Sequence, residues 1–290
     1  MSGRNPTEIW EESLDEGERR LMRRWTGLAA TGLAGGIDVF FSILALAVVS
    51  AGLHEVLPEQ TSHVLASVVF GIGFAFITLG RAELFTENFL LPVGAVFSGR
   101  ARVTDILRMW LITMVFNLIG LLAFAAMFSV QDVLKPATLE TAGTLADTLG
   151  DRGALAAFLS AIAAGTIMTL FTWVAAAAET ASARIVASLI VGLVLALPSL
   201  NHAIVGFGEM AFGILAGTAE STWGDLARNF GLAVAGNLVG GVGLVFSTRL
   251  AQVRGEPGSQ SGASGPKARR DARASNGAAG DGEPSAAANR

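Results

Sequence analysis

Ionisable side chains interrupt long apolar stretches of this sequence. His202 follows the segment 198–201 and precedes another apolar run. A neutral imidazole can donate a hydrogen bond to a small anion, and a transient proton transfer would turn that anion into a neutral acid. A neutral acid crosses an apolar constriction far more easily than a charge does. The alternative is a histidine that only joins two helices, but at membrane depth a functional role is favoured.

Four carboxylates lie in similar surroundings, namely Asp38, Glu83, Glu87 and Glu209. A carboxylate inside a membrane is costly and needs a partner or water. One explanation is scaffolding through ion pairs or hydrogen bonds, with Arg81 or with helix-terminal amides as partners. The other is a role in proton coupling or selectivity, in which the carboxylate must be protonated because its negative charge opposes anions. Both explanations remain open.

Little in the sequence points to an enzyme. Cysteine is absent, which removes thiolate metal ligands and cysteine nucleophiles, and only three histidines are present. No His and carboxylate group has metal-ligand spacing, and no glycine-rich phosphate loop follows a strand. We therefore predict no enzymatic activity, no cofactor, no metal site and no nucleic-acid partner.

The composition indicates an integral membrane protein, because 52% of the residues are hydrophobic and only 15% are charged. Most of its nearly uncharged runs are long enough to span, at roughly 20 residues per crossing. The predicted fold is an all-α membrane protein with six transmembrane helices. The runs are 29–51, 64–80, 109–128, 154–178, 185–200 and 230–248.

The basic residues between these runs predict the orientation. Ten of them fall on one side and three on the other, and the positive side is normally cytoplasmic. We expect a multi-pass inner (plasma) membrane protein with both termini in the cytoplasm and segment 131–153 outside. The ten are Arg19, Arg20, Arg23, Arg24, Arg100, Arg102, Arg108, Arg184, Arg249 and Arg254, and the three are Lys135, Arg152 and Arg228.

Three regions follow from the same patterns. Residues 1–24 mix charges with Leu14 and Leu21 and are predicted to form a cytoplasmic amphipathic helix near the membrane surface. Residues 25–252 form the six-helix transmembrane domain. Residues 253–290 contain Gly, Ser, Ala and charges without periodicity, which predicts a disordered cytoplasmic tail.

An internal repeat relates residues 92–120 to residues 212–240. Each copy contains three crossings, an odd number, so the second copy must enter the membrane from the opposite side. Inverted repeats of this kind are typical of transport proteins. The acidic and Arg residues of the motif are predicted to cap helices and form local ion pairs. The matching residues are Asp105, Arg108, Asn117 and Gly120 with Asp225, Arg228, Asn237 and Gly240.

The second helix of each repeat, helices 2 and 5 of the six, is predicted to be broken. As straight helices, stretches 65–98 and 185–218 would be about 50 Å long, which exceeds the hydrocarbon core. Segments 80–88 and 198–202 supply suitable interruptions, and irregular backbone at this depth must be covered by protein or line a cavity. Helix dipoles beginning near Asn88 and His202 would favour an anion.

Four short motifs stand out in these segments, namely Glu83-Leu-Phe-Thr86, Ser98-Gly99-Arg100, Asn201-His202 and Gly236-Asn237-Leu-Val-Gly-Gly241. Together they resemble motifs of the formate/nitrite transporter family, over about residues 25–250. The resemblance implies an aquaporin-like fold, assembly as a homopentamer in the lipid bilayer with one pore per protomer, and transport of formate, nitrite, hydrosulfide or similar small monoacids. The chain differs from better-studied members at Gly165, where they carry Asn, and has Arg152 near their external Lys.

The same resemblance implies roles for individual residues. The loop that breaks helix 2 would carry an apolar constriction and a threonine facing the pore histidine, and two asparagines would hold the broken helices. The implied pore residues are Leu84, Phe85, Thr86, Asn201 and His202, with Glu83, Glu87 and Glu209 as possible pore or coupling carboxylates and Asn117 and Asn237 as structural residues.

We therefore predict a channel or transporter for small monovalent anions with proton involvement at His202. Two alternatives stay open: a non-conducting membrane scaffold or sensor of the same fold, and a proton-coupled transporter of another small solute. A histidine and a threonine that line the pore argue against the scaffold.

Overall fold

The computed structural model describes residues 4–256, and nearly all of them are helical. Residues 257–290, which include most of the predicted tail, lie outside the described residues. A 3-10 turn occupies Phe85–Phe89, and a π-helical stretch occupies Val239–Phe246. The α-helices of the described residues are α1 Pro6–Leu21, α2 Trp25–His54, α3 Glu59–Val69, α4 Gly71–Gly80, α5 Leu91–Phe97, α6 Val103–Phe128, α7 Pro136–Gly150, α8 Ala154–Ala177, α9 Ala181–Ala196, α10 Ala203–Ala216, α11 Trp223–Leu238 and α12 Ser247–Gly255.

Five helical stretches of residues 4–256 are long and apolar enough to cross a membrane. The predicted crossing near 185–200 corresponds to α9, whose 16 residues span about 24 Å. This length is shorter than the hydrocarbon core, so α9 alone does not cross it. The five stretches are Trp25–His54, Gln60–Gly80, Val103–Phe128, Ala154–Ala177 and Trp223–Gly255.

Close packing of the helices follows the sequence repeat. α2 contacts α6 where Gly36 meets the main chain of Asn117, and α8 contacts α11 where Gly165 meets the main chain of Asn237. A Cβ atom would lie 2.1 Å from the Asn117 oxygen at Gly36 and 2.3 Å from the Asn237 oxygen at Gly165. Only glycine permits this approach. The repeated glycines Gly120 and Gly240 make equivalent contacts. A Cβ atom would lie 2.4 Å from the Leu33 oxygen at Gly120 and 2.1 Å from the Ile162 oxygen at Gly240.

The repeated acidic residues cap helices as predicted, because Asp105 accepts a hydrogen bond from the main-chain N–H of Arg102 and Asp225 from that of Thr222. Within residues 4–256, no salt bridge joins either repeated acidic residue to the repeated arginine three positions later, and Asp105 forms its salt bridge with Arg102. The guanidinium groups instead donate to carbonyl oxygens at helix ends, which lack helical donors. Arg108 donates to Leu21 O at 2.7 Å, and Arg228 donates to Gly150 O at 2.5 Å.

The amino-terminal helix α1 packs on the transmembrane helices. It begins after Asn5, whose side chain accepts a hydrogen bond from the Glu8 N–H at 2.9 Å. Gly17 lets α1 approach α5, since a Cβ atom there would lie 2.1 Å from the Leu91 oxygen. Protein therefore occupies the apolar face of this amphipathic helix. The face consists of Ile9, Trp10 and Leu14, packed with Leu90, Trp173, Phe246 and Val253.

Helix α7, which was not predicted, lies within the segment 131–153 and packs on α10. Thr218 donates a hydrogen bond to Leu139 O at 2.7 Å. Asp147 accepts hydrogen bonds from the N–H and hydroxyl of Ser221 at 2.8 and 2.7 Å. These bonds fix the loop between α10 and α11.

Candidate functional site

The first non-helical segment follows α4 and leads into the 3-10 turn Phe85–Phe89. Arg81 ends α4 with φ 59°, a left-handed conformation that is uncommon for residues other than glycine. Asn117 fixes the segment from α6. Its Oδ1 accepts from the Phe85 N–H at 2.8 Å, and its Nδ2 donates to Gly32 O at 2.7 Å and Glu83 O at 2.9 Å.

The second non-helical segment separates α9 from α10 and has the same support from Asn237. The Asn237 Oδ1 accepts from the Ala203 N–H at 2.9 Å, and its Nδ2 donates to Ala161 O at 2.8 Å and Asn201 O at 3.1 Å. Asn117 and Asn237 therefore satisfy main-chain groups that have no helical partner.

Asn201 has a further partner that the sequence reasoning missed. Its side chain exchanges two hydrogen bonds with Asn229 on α11, at 2.9 and 3.0 Å. Both side chains are buried. A polar residue directly after Arg228, at the start of an apolar stretch, was the available signal. The pair fixes the orientation of Asn201, so its amide is not free for a ligand.

His202 and Thr86 bring the two non-helical segments together. The distance between Thr86 Oγ1 and His202 Nε2 is 2.7 Å, and both side chains are buried. His202 is also the N-cap of α10, because its Nδ1 accepts a hydrogen bond from the Val205 N–H at 3.1 Å. The structure thus places side by side the two polar residues that the family resemblance had paired.

The cap defines the tautomer of His202. A ring nitrogen that accepts an N–H bond carries no hydrogen, so the proton of a neutral imidazole must lie on Nε2. His202 therefore donates to the Thr86 oxygen. The Thr86 hydroxyl hydrogen remains available for another acceptor, and the pair can present donors to an anion.

Leu84 and Phe85 make the surroundings of this pair apolar. Both are buried, and the Phe85 ring packs edge-to-face on Phe89 and Trp110 with centroids 4.9 and 6.0 Å apart. Trp110 also donates to Asn88 O at 3.0 Å. The 3-10 turn is thereby clamped against α6, with an aromatic cluster beside Thr86.

Glu83 has two arginine partners, both from the chain before α2. Arg23 Nη1 lies 2.5 Å and Arg20 Nε lies 3.4 Å from Glu83 Oε1. Arg20 also donates to Asn88 Oδ1 at 3.1 Å. The sequence suggested Arg81 as a partner, but Arg81 is exposed and the ion pairs use Arg20 and Arg23. Glu83 thus joins the amino-terminal segment to the first non-helical segment.

A cavity of about 350 Å³ lies between α1 and the helices beneath it. Glu87 forms part of its wall, together with Thr78, Thr172 and Leu91. His202 and Thr86 are not among its lining residues. Because Glu87 directly follows Thr86, the cavity ends one residue away from the His202–Thr86 pair.

The remaining carboxylates lie apart from this cavity. Glu209 is half-buried on α10, seven residues and about 10 Å along the helix from His202. Asp38 on α2 faces the end of α4, since a Cβ atom at Gly80 would lie 4.0 Å from Asp38 Oδ2. Within residues 4–256, no group of three or more His, Cys, Asp or Glu could hold a metal ion.

Comparison with known proteins agrees with the sequence motifs. The family profile described as formate/nitrite transporter matches residues 7–250. Inner membrane protein YfdC of Escherichia coli (strain K12) is 26% identical over 251 residues, covering 86% of this chain and 79% of YfdC. The formate channel BtFdhC of Bacillus thuringiensis is 23% identical over 256 residues, covering 84% of this chain and 94% of that channel.

Two solved structures have the same fold. An FNT family ion channel superposes with a TM-score of 0.74 at 17% identity and covers 87% of this chain and 100% of its own. A pentameric formate channel with formate bound gives a TM-score of 0.70 at 16% identity and covers 80% and 98%. The predicted all-helical, aquaporin-like membrane fold is thereby confirmed.

Proposed function

Because the chain belongs to the formate/nitrite transporter family, we propose that it forms a pore for small monovalent anions such as formate, nitrite or a similar weak monoacid. Proteins of this family are channels and transporters, not enzymes. A formate channel among the relatives supports this substrate class. The observation that carries the proposal is the buried hydrogen bond between Thr86 and His202, set between two non-helical segments.

An anion that reaches this pair can replace Thr86 as the acceptor of the His202 Nε2–H and accept a second bond from the Thr86 hydroxyl. These donors offset part of the lost hydration. The first turn of α10, which begins at Ala203, adds the positive end of a helix dipole. Leu84 and Phe85 then oppose passage of the bare charge, so the anion must acquire a proton here and continue as a neutral acid.

The cap on α10 limits how His202 takes part in that proton transfer. A neutral imidazole that lost its Nε2 proton would become an imidazolate, so only the imidazolium can give a proton away. Forming the imidazolium puts a proton on Nδ1 and displaces the Val205 N–H, which costs about 0.5–2 kcal/mol of helix capping. We therefore assign His202 the role of a neutral hydrogen-bond donor, and the proton comes from another group.

The proposal includes assembly and orientation. The pentameric formate channel with the same fold supports a homopentamer with one pore per protomer. The inner membrane relative supports an inner membrane location. We propose that both termini, including α1 and the cavity beneath it, face the cytoplasm, on the basis of the basic residues between the helices.

Uptake of a panel of monovalent anions into proteoliposomes, measured over a range of pH, tests this function. His202→Leu removes both the donor and the cap, and we expect uptake to fall by about 100-fold, comparable to losing a general acid or a key charge-stabilising donor. His202→Asn keeps a capping oxygen and a donor, and we expect normal assembly, partial uptake and an unchanged pH dependence.

The matched control is His54→Asn, because His54 is exposed near the end of α2. It should behave like the unmodified protein. If the unmodified protein passes none of the anions, the proposed pore function is wrong, and a non-conducting scaffold becomes the better explanation. If His202→Asn assembles but loses the pH dependence, His202 itself titrates during transport.

A further inference from the structure

Glu87 connects the cavity beneath α1 to the His202–Thr86 pair. Its side chain lines the cavity, whereas Thr86 is fully buried and does not. The two residues are consecutive in the 3-10 turn, so their Cα atoms lie about 3.8 Å apart. Glu87 is thus the carboxyl group nearest to this pair along the chain. Because its side chain lines the cavity, it can also exchange protons with water there.

The structure distinguishes Glu87 from its neighbour Glu83. Arg20 and Arg23 hold Glu83 in ion pairs, which give it a scaffolding role. Within residues 4–256, Glu87 forms no salt bridge. A carboxyl group that no arginine holds can alternate between its two protonation states.

We propose that Glu87 supplies the proton that converts the entering anion into a neutral acid. The carboxylate takes a proton from water in the cavity. The O–H bond of the Glu87 carboxyl then breaks, a bond to hydrogen forms on the basic atom of the anion, and the products are the Glu87 carboxylate and the neutral acid. No oxidant or further reactant is required. This inference rests on the proposed function and names the proton source that the capped His202 lacks.

Charges of both signs surround Glu87. Arg20 of α1 attracts the Glu87 carboxylate electrostatically, whereas Asp38 of α2 and Glu83 repel it. Arg20 itself is hydrogen-bonded or ion-paired to Glu16, Glu83 and Asn88. Around the rest of the cavity, the basic groups are Arg19, Arg81 and Arg184, and the acidic groups are Glu12, Asp15 and Glu16. Each of these acidic groups has an arginine partner: Glu12 pairs with Arg4, Asp15 with Arg100, and Glu16 with Arg19 and Arg20.

Glu87→Gln tests the inference in proteoliposomes that contain the full chain and an entrapped pH-sensitive dye, with formate as the probe. Gln keeps the size of the side chain but carries no exchangeable acid proton. We expect formate uptake at acidic pH to fall by about tenfold or more, proton uptake to fall with it, and the pH dependence to become flat. Glu87→Asp restores the acid and should restore the pH dependence, at a reduced rate.

The control is Glu12→Gln, because Glu12 lines the same cavity but its side chain is 71% exposed and pairs with Arg4. It should keep the unmodified pH profile. A pH profile of Glu87→Gln that matches the unmodified protein overturns the inference while leaving the pore intact, and so does a flat profile in the unmodified protein. If Glu87→Gln does not assemble, the Glu87→Asp variant tests the inference instead. An uptake rate and a pH midpoint equal to those of the unmodified protein would overturn direct proton transfer from this carboxyl. Absence of any formate or other anion uptake by the unmodified protein rejects the proposed function itself.

Discussion

At the scale of single residues, Asn117 and Asn237 show how a short side chain supports a non-helical segment at membrane depth. Each accepts one main-chain N–H and donates to two main-chain carbonyls. All three groups are buried where water cannot replace the lost bonds, so each bond contributes more than it would at a surface. An amide is required, because a carboxylate has no hydrogen to donate.

Asn117→Asp should therefore lower stability. The substitution keeps an acceptor for Phe85 but places an oxygen against the carbonyls of Gly32 and Glu83. We expect a loss of about 1–3 kcal/mol, seen as a lower melting temperature of the detergent-solubilised protein. Asn237→Asp should act in the same direction.

Asn5→Asp is the matched control for these substitutions. Asn5 is a helix cap outside the transmembrane helices, and Asp caps equally well. The Asn5 amide donates only at the surface, to Glu8 Oε1 at 2.9 Å, where water replaces the lost bond, so stability should be nearly unchanged. Equal melting temperatures for Asn117→Asp and Asn5→Asp would show that the amide hydrogens of Asn117 are not needed.

Sequence reasoning found some of these residues and not others. The repeat identified Asn117 and Asn237, because the same spacing occurs twice in the chain. The family resemblance predicted that His202 faces Thr86, and the two side chains are in contact. Neither source revealed that Arg23 pairs with Glu83, sixty residues away, because no local pattern marks a tertiary partner. The N-cap role of His202 also needed the three-dimensional structure.

At the scale of helices, the central contacts depend on glycines that touch main-chain atoms. Gly165 is one of these glycines, and the structure gives a reason for glycine at this position. A Cβ atom at this position would lie 2.3 Å from the oxygen and 2.4 Å from the Cα atom of Asn237. Neither main-chain atom can move without displacing the hydrogen bonds of Asn237, so helix packing and the pore centre are linked.

Gly165→Ala should force α8 away from α11. We expect a destabilisation of about 1–3 kcal/mol and a loss of anion uptake that is larger than the loss of stability alone would cause. Thermal unfolding in detergent and uptake by proteoliposomes, measured on the same preparation, check both parts.

Gly231→Ala provides the comparison on the same pair of helices. Gly231 lies within α11 with no atom close to its missing Cβ, so alanine should be neutral or stabilising by about 0.5–1 kcal/mol. Two variants with the same melting temperature would contradict the packing explanation.

Hydropathy predicted most of the long helices because α2, α6 and α8, which have 30, 26 and 24 residues, each contain an apolar run of about 20 residues or more. It was less informative where a helix is short. α9 and α10 have 16 and 14 residues, and hydropathy alone does not show where one ends and the next begins. Helix α7 was missed because its Thr and Glu residues give it the composition of an external loop, although Pro136 at its first turn is a typical start signal.

At the scale of the whole molecule, orientation is the property that the fold leaves open, because two inverted copies look alike from both sides. The chain contains no cysteine, so a single introduced thiol reports one position. Thr144 on α7 is exposed and belongs to the segment predicted to be external, and Ser98 after α5 is exposed and predicted to be internal.

Thr144→Cys should react with a membrane-impermeant thiol reagent in intact cells, whereas Ser98→Cys should react only after permeabilisation. Each variant serves as the control for the other. The reverse pattern would place the termini outside the cytoplasm and with them the cavity that contains Glu87.

The position of α1 has a consequence for the order in which the chain is completed during synthesis. Trp10 precedes the transmembrane helices in the chain, but its ring packs on Phe246 with centroids 6.0 Å apart, and Val253 belongs to the same cluster. Because synthesis runs from the amino to the carboxyl end, Phe246 and Val253 are made only after α2 to α11. The apolar face of α1 therefore cannot complete its packing until the helices between have been synthesised.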